Sequence, residues 1–487
     1  MPSTTALDDR SRWIALYVLC TGVLMIVLDV TVVNVALPSI QGDLGFSQSS
    51  LSWVVNAYLI AFAGLLMLAG RLGDLLSRRG VFLAGLTVFT LASVACGVSQ
   101  SQAMLVIARF VQGVGGAMAS AVVLGMIVTM FPEPRDQAKA IGVYGFVASA
   151  GGSIGLLVGG VLTDSINWHW VFFVNVPVGI VTAYLATRLL DHDRGAGLRQ
   201  GADALGAVLI TGGLMLLVWT IVDPAAKDGW GAGRTLGFLA LSLAILVAFV
   251  VREATARTPL IPLRIFRSRT TAGANVIQMV TVPAMFGMFF LGALYCERVL
   301  GYSPLQIGLA FLPGSLIMGV LSLRYTERLV TRFGARSVMI FGFVLILGAV
   351  LLFARAPAGA TYALDLLPTM VLFGIGGGMS FPALVTLAMA GVRPQEAGVA
   401  SGLVNTTAQV GGALGLAVLA TVATSRTATL TRAGETVTNA LVGGYHVAFL
   451  IGAGLLVFAL AVAIVVLPAT QAHGEAAHLE PATADSY

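Results

Sequence analysis

The stretch AGRLGDLLSRRG, residues 69–80, decides the fold of this chain. It is short, rich in arginine and marked by glycines, and it separates two long apolar runs. Positively charged loops between membrane helices stay on the cytoplasmic side, so this stretch is predicted to be a cytoplasmic loop. Its position fixes the orientation of every segment before and after it. Residues 69–80 are called the hinge loop below.

The composition requires lipid as the solvent for the rest of the chain. Of its 487 residues, 57% are hydrophobic and only 10% are charged, whereas soluble domains carry about 25% charged residues. Apolar runs recur that are long enough to cross a bilayer core of about 30 Å. The sequence therefore predicts an all-α, multi-pass membrane protein that is surrounded by lipid and has no nucleic-acid partner.

Apolar runs separated by charged breaks predict fourteen transmembrane spans. The predicted spans are 13–38, 50–70, 81–99, 102–131, 136–163, 168–190, 204–222, 234–254, 271–299, 305–326, 337–355, 363–391, 395–424 and 444–467. With the N-terminus inside, alternating the loops places most of the 27 basic residues on the inner side. This distribution favours a plasma-membrane protein with both termini in the cytoplasm.

Three blocks of sequence recur in the same order at a spacing of about 260 residues, which indicates duplicated halves. RLGDLLSRRGVFLAG at 71–85 aligns with RLVTRFGARSVMIFG at 328–342. The other repeated blocks are glycine patterns, 113–118 with 374–379 and 142–155 with 402–415.

The repeat predicts a 6 + 2 + 6 arrangement of helices. The N-terminal six-helix half is 13–190, and the C-terminal six-helix half is 271–467. Residues 204–254 match neither half and are interpreted as an inserted helix pair. The polar segment 468–487 is predicted to be a disordered cytoplasmic tail.

Two charged residues, Asp29 and Arg109, lie inside apolar spans, and such charges are functional hypotheses by default. Along a helix, Asp29 lies about 13 Å from the span end at Pro38, and Arg109 about 10 Å from the end near Gln102. Similar depth allows them to pair, and making or breaking that contact would drive proton uptake and release. Arg109 corresponds to Met370 in the repeat, so symmetric packing does not require the charge. The alternative is a pair that only locks two helices.

Two further groups are candidates for movement and for substrate binding. The candidates for a conformational switch are Gly70, Asp74, Arg78, Arg79, Gly151, Gly155, Gly159 and Gly160. Glycines allow close helix approach, either as a sliding seam or as static packing. The candidates for a substrate cavity are Asn34, Gln112, Met285, Phe289, Asn405 and Gln409. Methionine and aromatic surface suits promiscuous binding, but it also suits a lipid-facing or core position.

Four motifs carry a family resemblance over about 13–467. G-x-x-x-D-x-x-x-R-R, from Gly70 to Arg79, resembles the loop signature of the major facilitator superfamily of secondary transporters. L-D-x-T-V-V-N-x-A-L-P, R-x-x-Q-G-x-G and W-x-W-x-F-x-x-N-x-P-x-G, which begin at Leu28, Arg109 and Trp168, are similar to motifs of its fourteen-helix drug:proton antiporter branch. Leu156 stands where that branch has a proline.

The resemblance implies a function. It implies the major facilitator fold, with Asp29 and Arg109 taking part in proton coupling. It also implies that hydrophobic or cationic drugs or antibiotics leave the cell in exchange for protons, by alternating access. The open alternatives on the same fold are a transporter of one specific metabolite and an uptake symporter.

The energy source is predicted to be an ion gradient, without a cofactor. A phosphate-binding loop needs Gly-Lys-Ser/Thr, and neither Lys139 nor Lys227 has that context. Neither a metal-ligand spacing nor a nucleophile-base pair is evident, so an enzyme is disfavoured. A receptor or membrane enzyme remains the competing class, and the predicted partners are protons and a small-molecule substrate.

Overall fold

A computed structural model of the chain describes residues 9–191, 193, 195, 197, 203–261, 263–390 and 397–467. Every regular element in these residues is helical. Thirteen helices there are long and apolar enough to cross a membrane. The structure thus has the predicted all-α, multi-pass character. The predicted tail, 468–487, lies outside the described residues.

The long helices are labelled α1–α14 in chain order. The first six are α1 (Asp9–Leu44), α2 (Trp53–Leu75), α3 (Arg78–Gly97), α4 (Gln102–Met130), α5 (Pro134–Ser165) and α6 (Asn175–Leu189). The next two are α7 (Ala204–Val222) and α8 (Gly233–Thr255). The last six are α9 (Arg269–Arg298), α10 (Pro304–Arg324), α11 (Ala335–Phe353), α12 (Leu367–Met389), α13 (Ala397–Arg432) and α14 (Val437–Val466). The shorter helices are Gln48–Leu51, Trp170–Phe173, Pro224–Asp228, Leu263–Arg267, Thr326–Phe333 and Tyr362–Leu366.

Helix α5 is the long helix outside the thirteen candidate spans. It covers the predicted fifth span, 136–163, and the apolar helix identified within its described residues is Ile154–Ser165. The count of fourteen spans therefore stays a prediction.

Several helix ends differ from the predicted boundaries. Helix α1 was expected to end at Pro38 but continues through it to Leu44, because one missing hydrogen bond does not unravel a long packed helix. Gly45, with φ of 68°, ends the helix in the left-handed conformation that glycine adopts without strain. The predicted sixth span, 168–190, is divided between the short helix Trp170–Phe173 and α6.

The last two helices are both longer than their apolar runs. Helix α13 reaches Arg432 rather than 424, and α14 begins at Val437 rather than 444. Thr436 caps α14, because its side-chain oxygen accepts a hydrogen bond from the backbone of Asn439 at 3.3 Å. Capped helices extend past the apolar segment, which hydropathy alone does not detect.

The repeated glycine blocks make equivalent helix crossings in the two halves. A Cβ on Gly115 of α4 would lie 2.8 Å from the carbonyl oxygen of Gly85 on α3. A Cβ on Gly376 of α12 would lie 2.5 Å from that of Gly342 on α11. Both distances are too short for a side chain, so the backbones touch at both crossings.

The helices α7 and α8 pack on each other, and α7 also packs on α2 and α13. Thr421 of α13 donates a hydrogen bond to the carbonyl of Ile221 at 3.3 Å. At the other end of the pair, Arg252 donates to the buried Asp203 carboxylate at 3.1 Å. The pair therefore lies against helices of both repeated halves.

Two seams join the repeated halves. In one, α5 packs on α10, where a Cβ on Gly308 would lie 2.6 Å from the carbonyl oxygen of Leu156. In the other, α2 packs on α13, and Thr406 donates to the carbonyl of Ala63 at 3.4 Å. A large cavity lies between the halves.

Candidate functional site

Asp29 of α1 and Arg109 of α4 form a buried ion pair. The distance from Arg109 Nη1 to Asp29 Oδ2 is 2.5 Å, and the two side chains are 1% and 0% exposed. Residues that the sequence places at similar depth in two spans are therefore in direct contact. A charge in this environment is tolerated only when it is paired and hydrogen-bonded.

Two carboxamides complete the shell of the Asp29 carboxylate. Gln112 donates to Oδ1 at 2.7 Å, and Asn175 donates to the same oxygen at 2.9 Å. Gln112 also donates to Ser93 Oγ at 2.8 Å and accepts from Arg109 at 2.7 Å. The prediction that Gln112 faces the substrate cavity is wrong. Its place on α4, one turn from Arg109, directs it into the ion pair.

The guanidinium of Arg109 is held on its other sides by a carbonyl and two rings. Its Nε donates to the carbonyl of Val54 at 2.8 Å. Its Cζ lies 4.5 Å from the ring centre of Tyr58 and 5.8 Å from that of Phe172. Cation–π contacts of this kind strengthen when they are removed from water. Four helices of the N-terminal half, α1, α2, α4 and α6, thus fix the pair.

Tyr58 forms the wall between the ion pair and the cavity. Its ring stacks on Arg109, while the residue also lines the cavity. Its hydroxyl is buried and makes no hydrogen bond in the part of the chain that the structure describes. The hydroxyl lies against Gly116, where an added Cβ would be 2.9 Å away. Asp29 and Arg109 do not line the cavity themselves.

Sequence reasoning missed three members of this network. Asn175 had a signal, because it lies in the W-x-W-x-F-x-x-N-x-P-x-G motif, but it was not assigned to the site. Ser93 and Tyr58 had none, because a single serine or tyrosine in an apolar span is unremarkable. Only the packing of α2 and α3 on α4 brings them to Arg109 and Gln112.

The cavity has a volume of about 1250 Å³ and lies between the two halves. Five of the six predicted substrate residues line it, namely Asn34, Met285, Phe289, Asn405 and Gln409. Aliphatic side chains of α1, including Val27 and Val30, line it as well. This volume falls above the usual range for small-molecule pockets, about 300–1,000 Å³.

The cavity extends to the end of the bundle that carries the hinge loop. Gly70, Asp74 and Arg78 line it, together with the segment 258–260 that follows α8. Its lining also includes Leu156, where α5 is closed on α10. The structure is therefore open on the hinge-loop side and closed where α5 meets α10.

Most of the predicted hinge loop is helical, because only Leu76 and Ser77 lie between α2 and α3, and its charged side chains hold this turn. Arg78 pairs with Asp74 at 2.9 Å and donates to Thr129 Oγ1 on α4 at 3.0 Å. Arg79 donates to the carbonyl of Thr187 on α6 at 2.7 Å. The loop therefore ties α2 and α3 to α4 and α6. Gly73 leaves no room for a side chain because Val122 of α4 lies against it.

A second segment docks on the hinge loop at Asp193. The carboxylate of Asp193 accepts a hydrogen bond from Ser77 Oγ at 2.6 Å and from the backbone N–H groups of Arg78 and Arg79, at 2.6 and 3.2 Å. Partial burial alone would raise the pKa of Asp193, but these hydrogen bonds lower it below its ordinary value. Sequence reasoning did not detect this contact.

The four predicted glycines of α5 face two neighbours. Gly151, Gly155 and Gly159 lie against Val27, Thr31 and Val32 of α1. Gly160 lies against α10, where a Cβ would be 3.0 Å from the carbonyl oxygen of Pro304. Glycines therefore line α5 both within its own half and at the seam between the halves.

The chain resembles known proteins along most of its length. The model of the Major Facilitator Superfamily matches residues 19–416. A puromycin resistance protein from Streptomyces alboniger is 38% identical over 467 residues, which cover 94% of this chain and 92% of the relative. A cephamycin export protein from Amycolatopsis lactamdurans is 40% identical over 459 residues, which cover 93% and 92%.

Another relative and a solved structure extend this comparison. A tetracenomycin C resistance and export protein from Streptomyces glaucescens is 34% identical over 426 residues, covering 87% of this chain and 78% of the relative. The crystal structure of a bacterial homologue of the human lysosomal transporter Spinster has a TM-score of 0.68 at 16% identity. It covers 94% of this chain and 98% of that protein. At that identity the likeness shows the fold alone.

Proposed function

The chain belongs to the Major Facilitator Superfamily, and from that premise we propose that it exports antibiotic-like small molecules in exchange for protons. Relatives named for resistance to, or export of, puromycin, cephamycin and tetracenomycin C support the export of such compounds. We propose proton antiport by alternating access, with the proton gradient as the energy source and no cofactor.

The observation that carries the proposal is the buried ion pair beside the cavity. Asp29 is the only carboxylate in the described network, and Arg109 and two carboxamides satisfy it. A proton on Asp29 would cancel the charge that holds Arg109 in place. The wall between the pair and the cavity is Tyr58, so a shift of Arg109 would move a residue that faces the substrate.

The switch between states would use the hinge loop and the glycines of α5. Closing the cavity on the hinge-loop side requires that α5 separate from α10 at the other end. At Gly308 and Gly160 the two helices approach backbone to backbone, and their separation would be a rigid-body movement of one half against the other. The Arg78–Asp74 pair lies at the mouth of the cavity, on its open hinge-loop side, so closing the cavity would change the surroundings of this pair.

We further propose the finer topology that the sequence predicts. The protein would cross the plasma membrane fourteen times in a 6 + 2 + 6 arrangement, with both termini and the hinge loop cytoplasmic. In that orientation the cavity of this structure faces the cytoplasm, the side from which an exporter loads its substrate.

The test uses inverted membrane vesicles that contain the protein, with radiolabelled puromycin and tetracenomycin C as probes. We expect at least one probe to accumulate when a proton gradient is imposed and to leak out when the gradient is collapsed. The Asp29→Asn variant should abolish accumulation. Thr281→Val is the matched control, because Gly155 lies against Thr31 and its repeat Gly415 against Pro283, which makes Thr281 of α9 the counterpart of Asp29; it should leave accumulation intact. Uptake only in right-side-out vesicles would favour a symporter, and no gradient-driven movement in either orientation would overturn the proposal.

A further inference from the structure

The C-terminal half gives the cavity a flat aromatic wall. Phe286 and Phe289 of α9 line the cavity beside Met285. The ring of Phe289 is held in an edge contact with Phe373, at 5.7 Å between ring centres, and a tilted contact with Phe311, at 5.6 Å. A ring fixed on two sides presents a constant surface to a ligand, and aromatic surfaces favour other rings in stacked or edge contacts.

The N-terminal half contributes a second apolar surface. Tyr58 and Phe62 line the cavity with their rings stacked, 5.9 Å apart at an interplanar angle of 25°. Aliphatic side chains from α1, including Val23 and Val30, continue this surface. Because Tyr58 and Phe62 are themselves buried, a planar apolar compound could contact the rings of the C-terminal half together with this largely aliphatic surface.

The hydrogen-bonding groups that the structure describes in the cavity interior are uncharged. Asn34 comes from α1, Ser315 from α10, and Asn405 and Gln409 lie one turn apart on α13. Carboxamides and hydroxyls both donate and accept hydrogen bonds. They therefore suit carbonyl and hydroxyl groups on a ligand without selecting for a charge.

Charged side chains are confined to the mouth among the lining residues that the structure describes. They are Arg71, Asp74 and Arg78, and Asp74 is already paired with Arg78. Asp29 is buried behind Tyr58 and does not line the cavity. A cation that entered would lose water without gaining a carboxylate, and the cation–π attraction of the rings does not replace a full counter-charge.

We propose that this cavity selects uncharged, planar aromatic compounds that carry carbonyl or hydroxyl groups, and that it discriminates against organic cations. This inference rests on the proposed function for its biological meaning, since it names the substrate class of the same cavity. It narrows the hydrophobic or cationic range that the family resemblance implies.

The test compares three fluorescent probes on one tricyclic skeleton. N-methylacridone is uncharged, N-methylacridinium is a permanent cation and acridone-10-acetate is an anion. Binding to the purified full chain in detergent is titrated by fluorescence anisotropy, without a proton gradient. We expect the uncharged probe to bind at least about tenfold more tightly than either ion. Equal or tighter binding of the cation, or saturation by none of the three, would overturn the inference.

A matched pair of variants assigns the selectivity to the cavity. Asn405→Asp places a carboxylate on the lining, whereas Asn439→Asp makes the same change at an exposed position in the first turn of α14. Only the Asn405 variant should gain affinity for the cation, by about tenfold, and lose affinity for the anion. Unchanged ratios in a folded Asn405→Asp protein would contradict the inference, and Gln409→Glu repeats the test if that variant does not fold.

The outcomes separate this inference from the proposed function. Binding that prefers the uncharged probe, without Asp29-dependent export in vesicles, would overturn antiport and leave the substrate class standing. Asp29-dependent export together with a preference for the cation would support antiport and overturn the proposed substrate class.

Discussion

In the N-terminal half, Asp29 and Arg109 form a buried ion pair, whereas Thr281 and Met370 stand at the equivalent positions of the C-terminal half. All four side chains are buried. The two halves therefore pack equivalent helices in the same way, but the core is charged in the N-terminal half and uncharged in the C-terminal half. A charge that the fold itself required would be present in both halves.

The equivalence of the two cores rests on helix contacts. Gly155 of α5 lies against Thr31 of α1, and Gly415 of α13 lies against Pro283 of α9. These contacts define which residues of α1 and α9 are equivalent. The glycine crossings of α4 with α3 and of α12 with α11 define the equivalent residues of α4 and α12. Each charged residue and its counterpart thus occupy corresponding places in the bundle.

A second pair of positions shows what each core supports. Gln112 donates to Asp29, whereas its counterpart Phe373 packs behind Phe289 at the cavity wall. The N-terminal core therefore hydrogen-bonds a buried carboxylate, whereas the C-terminal core holds an aromatic ring of the cavity wall in place. We infer that the duplicated halves have diverged, with ion coupling confined to the N-terminal half and substrate contact shared by both.

The largest effect is expected when the N-terminal core is made to resemble the C-terminal core. Arg109→Met removes the partner of a buried carboxylate and should lower the free energy of unfolding by about 3–5 kcal/mol. Adding Asp29→Thr should restore much of that loss, because no unpaired charge remains. Thermal melting in detergent measures both variants, and export should be absent from each. If Arg109→Met alone were as stable as the wild type, the ion pair would not be desolvated as described.

The next largest loss of stability should be the same in both halves. Gly115→Ala and Gly376→Ala each force a methyl group into a backbone contact and should cost about 1–3 kcal/mol of stability. Melting temperatures compared side by side test this expectation. A large loss at only one of the two crossings would contradict the shared packing on which the comparison depends.

A smaller, pH-dependent effect is expected at Asp193, which docks on the hinge loop of the N-terminal half. The pKa of Asp193 is lowered in the fold, so the stability it adds is fully present above its ordinary pKa of 3.8 and is lost as pH falls through the lower value. Asp193→Asn should therefore cost at most about 1 kcal/mol at neutral pH, because the carboxylate is exposed and screened.

Melting curves at neutral and acidic pH measure the Asp193 effect. The difference between wild type and Asp193→Asn should shrink only when the pH is below 3.8. A difference that is independent of pH would mean that the carboxylate charge is not what holds the hinge loop.

The smallest effect is expected at Thr281, the counterpart of Asp29. Among the described residues its hydroxyl makes one hydrogen bond, a long one of 3.4 Å to the carbonyl of Gln278. Thr281→Val should change stability by less than about 1 kcal/mol and leave export unchanged. Loss of proton-dependent export in this variant would place coupling in both halves and remove the asymmetry.

The sequence was sufficient for the features that depend on periodicity and on rare residues. Apolar runs predicted the helices, and the two intramembrane charges predicted the pair of Asp29 and Arg109. The assignment of Gln112 failed because a helix with two buried faces does not reveal which one a glutamine occupies. The docking of Asp193 on the hinge loop was missed because it joins segments more than a hundred residues apart.

The central claim is that a single carboxylate in one half couples protons to substrate movement. Proteoliposomes with an internal pH indicator test it when a gradient of tetracenomycin C or puromycin is imposed. The account predicts proton flow opposite to the substrate for wild type and for Thr281→Val, and none for Asp29→Asn. Proton flow at the wild-type rate through Asp29→Asn would contradict it.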